Sequence, residues 1–130
     1  GFFWFQGWND MFDEKARSDY AQNLVHLIDD FRKTFRVPKL PVVIGETGNM
    51  GSEAGPNMLA IRESQAKAAA GIKPQGSAAF VSTTEFARPK DLSPNVGHGH
   101  HWFGNAESYF LIGDAMGSAM IRLQPSSHAN

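Results

Sequence analysis

Three short apolar runs constrain this chain more than any other feature. Each run stops at a glycine or a polar segment, and each is followed by a stretch with helical spacing. The first is the opening "FFWF", which ends against "QGWND"; continuous apolar character suits a strand buried on both faces. The second is Val42, Val43 and Ile44 within "LPVVIGETG", and the third is "SAAFVSTTEF". After the first run, Tyr20, Leu24, Leu27, Ile28, Phe31 and Phe35 fall on one face of a helix. Asp13 or Ser18 serves as its cap, and Pro38 lies just past its end. "GPNMLAIRESQAKAAAG" predicts a second helix, with Pro56 in the first turn and Gly71 as the stop. Asn105 caps a last helix carrying Tyr109, Ile112, Met116, Met120 and Leu123. Gly113 and Gly117, four apart on it, are expected to let it approach the sheet closely.

Strand followed by helix, three times, with connections too long for hairpins, predicts an α/β fold: a parallel sheet flanked by helices in three layers. Residues 1–130 read as a single α/β domain without an internal boundary. Hydrophobic residues make up 42% of the sequence, enough for a real core. Net charge is −1 with no basic run, which gives no footprint for nucleic acid or an anionic membrane. No stretch nears the ~18 consecutive apolar residues of a membrane span. Cysteine is absent, so disulfides, thiolate metal sites and a cysteine nucleophile are excluded.

In an open parallel sheet, ligands bind beyond the carboxyl ends of the strands. The segments expected there are residues 6–10, Glu46 to Asn49, and Ser82 to Glu85, joined by the histidine loop "NVGHGHHWFG". Gly7 and Asn9 fit either a strand-ending turn or a pair of donors for the oxyanion of a tetrahedral intermediate. His98, His100 and His101 leave three readings open. One of them is a general base, two or three bind Zn²⁺ or Cu²⁺, or all sit in a glycine-rich loop without a role. Ser52, in "NMGSEAG", lacks the first glycine of a nucleophile elbow. Glu46 and Glu85 each follow a strand, where each either orients an imidazole or stays solvated. His26 falls off the apolar stripe, on the surface, and His128 falls in a frayed tail.

"WFQGWND" resembles the third conserved block of SGNH (GDSL-like) hydrolases, particularly the sialate O-acetylesterase-like carbohydrate esterases. "HHWFGNAESYFLIGDAMGSAM" is similar to the last block, in which the catalytic histidine precedes an aromatic residue and the final helix. "LPVVIGETG" and "IRESQ" fit the strand and helix between. The resemblance implies a serine esterase acting on acetyl esters, with an acetylated sugar or other small ester as substrate and no cofactor; the alternatives are a metal-binding module built on His98, His100 and His101, or a non-catalytic remnant of the esterase fold. Gly7 and Asn9 match the oxyanion block, and His101, directly before Trp102, matches the catalytic histidine. Two positions depart from the pattern. No segment matches the block that carries the nucleophilic serine, and His98 stands where the usual aspartate would lie, leaving Glu85, Glu46 or a backbone carbonyl to orient His101.

The abrupt apolar opening, without a signal-peptide pattern, reads as the middle of a protein. With the missing block, it leads to the expectation that the chain is the carboxyl-terminal part of a longer esterase. In the SGNH strand order the opening strand lies beside the first strand of the fold. It is therefore expected as a free edge here, pairing with another copy or with an amino-terminal half.

Overall fold

A computed structural model describes residues 1–124; the tail with His128 lies outside the described residues. In chain order come β1 (Phe2–Trp4), α1 (Glu14–Thr34), β2 (Val42–Gly45), α2 (Pro56–Gly71), β3 (Ala78–Val81) and α3 (Ala106–Leu123). The three strands form one parallel sheet in the order β1-β2-β3, with Trp4 beside Ile44 and Ile44 beside Phe80. Two successive crossovers in one direction place both connecting helices on the same face, since such crossovers share a hand.

The side chains of β2 divide the core in two. Val42 and Ile44 pack with Tyr20, Leu24 and Ile28 of α1 and with Ile61 and Ala68 of α2. Val43, on the other face, packs with Trp102 and with Ile112, Met116, Ala119 and Met120 of α3. The result is the three-layer α/β arrangement expected from the strand–helix alternation, and β2 is buried along its whole length.

Local signals account for the helix ends. Asp13 accepts the Ala16 N–H at 2.7 Å and starts α1, while Ser18 lies inside the helix and donates to the Lys15 carbonyl. Pro56 opens α2, where its missing N–H costs nothing. Asn105 accepts from Glu107 N and Ser108 N at the start of α3.

Three expectations are corrected. The opening run is not buried on both faces: Phe3 is 51% exposed and Phe5 38%. Phe2 and Trp4 reach the core beside α1; on the other face Gly1 sits against Met120 of α3 and Phe5 stacks on Trp102, but Phe3 between them stays half exposed. The α1 stripe ends on buried Arg32, not Phe35, which is 62% exposed just past the helix. The Arg32 guanidinium donates to the carbonyls of Leu40 and Lys73 and to Ser77 Oγ, tying down the amino-terminal ends of β2 and β3. Finally, Gly113 and Gly117 face open space, and a Cβ on either would meet nothing within 4 Å. Larger side chains, Ile112 and Met116 among them, seat α3. No helix among the described residues is long and apolar enough to cross a membrane.

Candidate active site

The carboxyl ends of the strands carry the polar loops, and buried polar side chains shape them. After β1 the chain turns at Gly7, whose φ of 153° favours glycine. A Cβ there would stand 2.7 Å from Ile61 Cγ2, so α2 also demands a bare backbone at this point. The carbonyl of Gln6 accepts from Tyr20 Oη at 2.5 Å and from Gln65 Nε2 at 2.8 Å. The Gln6–Gly7 peptide is trans, so its N–H points opposite to its carbonyl. With the carbonyl held against α1 and α2, the Gly7 N–H turns away from them. Among the described residues no acceptor takes up that hydrogen.

The loop after β2 is held just as firmly. Gln65 Oε1 accepts the Thr47 N–H at 3.0 Å. Arg62 donates to the carbonyls of Thr47, Asn49 and Gly51 at 3.0 to 3.1 Å. Burial pushes the Arg62 pKa down, and the nearby Glu46 carboxylate offsets part of that shift. Asn49 Nδ2 reaches the Gly99 carbonyl at 3.4 Å, linking this loop to the histidine loop.

The histidine loop is a 3-10 turn over Gly99–Gly104 in which Trp102 and Phe103 both have positive φ, 54° and 52°. Bulky residues rarely hold that conformation, and it clusters at functional sites. Trp102 is buried and stacks on Phe5 at 6.3 Å between ring centroids. Tyr109 Oη donates to the His101 carbonyl at 2.8 Å. The three imidazoles lie together, with His100 and His101 rings 4.3 Å apart and His98 6.3 Å from His101. Partial desolvation, then the His101 and His98 rings, push the His100 pKa down. Among the described residues no three His, Asp or Glu side chains are arranged to hold a metal ion.

These loops enclose a cleft of about 470 Å³ whose lining includes Gly7, Asn9, Asn49, His100, His101 and Tyr109. Gly7, Asn9 and His101 are therefore brought together. Glu85 is not: it borders a separate cavity of about 700 Å³ with Ser52, and Trp102 touches both spaces. The Glu46 carboxylate is committed elsewhere, accepting from Ser82 Oγ, Thr83 N, and Thr84 N and Oγ1 at 2.7 to 3.0 Å. Burial raises its pKa, and these donors together outweigh that, leaving it below the usual carboxylate value. No serine lines the cleft among the described residues.

The family model for carbohydrate esterases described as sialic acid-specific acetylesterase matches residues 1–122. The chain belongs to that family. No curated protein and no solved structure matches it significantly. Membership gives this chain an esterase relationship.

Several residues of this esterase chain were not singled out from the sequence, namely Tyr20, Arg62 and Gln65 as loop anchors and Asn49 as a cleft residue. A signal for two of them was available. Met58, Ile61, Arg62, Gln65 and Ala68 form the buried stripe of α2, and an arginine and a glutamine within an apolar stripe must find buried partners. Their partners are the backbone groups of the site loops.

Proposed function

We propose that this domain takes part in hydrolysis of acetyl esters on sugars by an SGNH-type serine mechanism. The observation that carries the reading is the placement of Gly7, Asn9 and His101 around one cleft in a carbohydrate-esterase chain. His101 accepts the proton of a serine hydroxyl as its Oγ attacks the ester carbonyl. The carbonyl oxygen becomes an oxyanion, received by the Gly7 N–H and the Asn9 amide. The C–O bond to the sugar then breaks, and His101 returns the proton to the departing sugar oxygen. Water, deprotonated by the same imidazole, attacks the acyl-serine; acetate leaves and the serine is restored.

The cleft lining supplies the base and the oxyanion donors but no serine, so the nucleophile comes from a segment outside these lining residues. That supports reading the chain as the carboxyl-terminal part of a larger esterase unit. Glu85 borders the neighbouring cavity, which also meets Trp102, and is not among the residues that line the cleft. The Tyr109 hydroxyl instead fixes the His101 backbone.

Kinetics of the Asn9→Ala variant of the intact protein test the oxyanion assignment. Turnover of an acetylated sugar should fall ~10²–10³-fold, mostly in kcat, because the donor acts on the transition state. Unchanged kcat would remove Asn9 from the site.

A further inference from the structure

Beside the cleft lies a second, smaller hollow of about 240 Å³, walled by Trp8, Met11, Phe12, Met50, Pro56 and Met58. Glu53 is its one charged lining residue. Three of the five methionines of the chain are gathered here, and their flexible thioethers suit an apolar guest of variable shape. Met50 is held at φ 73°, a strained conformation for a side chain of its size. Its sulfur packs so close to Gly99 that a Cβ on that glycine would stand 2.7 Å away.

The hollow adjoins the larger cavity at Met50 and Glu53, and it adjoins the cleft at Trp8. The Trp8 indole lines both, with its ring 5.5 Å from His100 of the cleft and 6.0 Å from Phe12 of the hollow. Trp8 also stands between Gly7 and Asn9 in sequence, so the indole that borders the hollow is carried by the loop that holds both of these cleft residues.

We propose that this hollow is a second subsite of the same active site. It takes an aryl or short alkyl group of about six carbons, carried on the alcohol side of the ester. The proposal rests on the esterase reading, which puts the reacting carbonyl in the cleft. The methyl of an acetyl group is too short to pass the indole, whereas a sugar ring spans such a distance and places its aglycone beyond it. A cavity of roughly 150 Å³ already holds a benzene ring, so the hollow is large enough. Its apolar walls disfavour a charged substituent, since burying one without a partner is costly. The substrate class is therefore an acetylated glycoside with an apolar aglycone.

Calorimetric titration of the intact protein with phenyl and methyl β-glucoside tests this without needing turnover. The phenyl glycoside should bind ~10-fold more tightly or better. Ala54→Phe, which fills the hollow from an exposed loop, should bring the two affinities within about twofold. Phe12→Ala, which removes an exposed wall, should narrow the gap in the same direction. Equal affinities in the wild-type protein, or no binding of either glycoside, would overturn the subsite. So would a phenyl preference that survives both substitutions. Acetate release from the acetylated glycosides separates the two claims. A phenyl preference in binding without any hydrolysis leaves the subsite standing and removes the esterase reading. Hydrolysis with no phenyl preference does the opposite.

Discussion

Gln65 donates from Nε2 to the carbonyl of Gln6 at 2.8 Å while its Oε1 accepts the Thr47 N–H at 3.0 Å. One fully buried amide on α2 thus fixes the loops that follow two neighbouring strands. Because the Gln6 carbonyl and the Gly7 N–H share one peptide plane, Gln65 also sets where that N–H points. Gln65→Leu keeps much of the volume, leaves the Thr47 N–H without its partner and leaves the Gln6 carbonyl to Tyr20 Oη alone. It should cost about 2–3 kcal/mol in a urea titration. On the proposed mechanism, kcat should also fall while KM holds. A loss confined to stability would mean that Gln65 only packs.

Arg32 provides the contrast, since it binds the opposite end of the sheet, away from the cleft. Arg32→Met should lower stability by about 2–3 kcal/mol, because buried carbonyls lose a charged donor. Activity per folded molecule should not change. A selective drop in kcat would show coupling across the sheet.

The lowered Glu46 pKa gives a pH dependence with a definite sign. A carboxyl depressed in the folded state binds fewer protons there than in the unfolded chain, so the unfolded state gains from acid. The stabilisation is complete above the unfolded value, roughly pH 4.3, and is lost as pH falls through the lower folded value. Thermal unfolding of wild type and Glu46→Gln should differ by a constant amount from pH 7 to about 5. Below about pH 4 the two should converge. A gap that widens in acid would contradict the assignment.

The free side of β1 leads to an association prediction. Among the described residues β1 pairs with β2 alone, and Phe3 is half exposed. Apolar edges recruit strands. We expect self-association through this edge, visible as a falling mass in light scattering across a dilution series and reduced by Phe3→Lys. A monomer at every concentration would show that the edge is protected.

The sequence made the architecture legible because strand and helix periods differ and each apolar run ends at a glycine or polar turn. Val42 to Ile44 could be read directly, since a buried central strand is apolar on both faces. The opening run looked the same in composition, but which strands sit at the edges depends on what covers each face. The stripe through Tyr20, Leu24 and Ile28 was visible, but apolar spacing carried it on to Phe35, whereas the buried position is Arg32, whose guanidinium is satisfied by carbonyls distant in sequence. The site loops were placed at the right ends of the strands. That Glu85 borders a different cavity from His101 was not legible, nor was the left-handed backbone at Trp102, the residue common to both spaces, which local sequence does not announce.

The most direct test of the account is acetate release by the intact protein and its His101→Ala variant, measured in parallel on an O-acetylated sugar. Loss of the general base should lower kcat/KM by ~10²–10⁴ at neutral pH while the far-UV spectrum and unfolding midpoint stay as in wild type. Equal turnover by the two folded proteins would contradict the assignment of His101, and with it the active site described around Gly7 and Asn9.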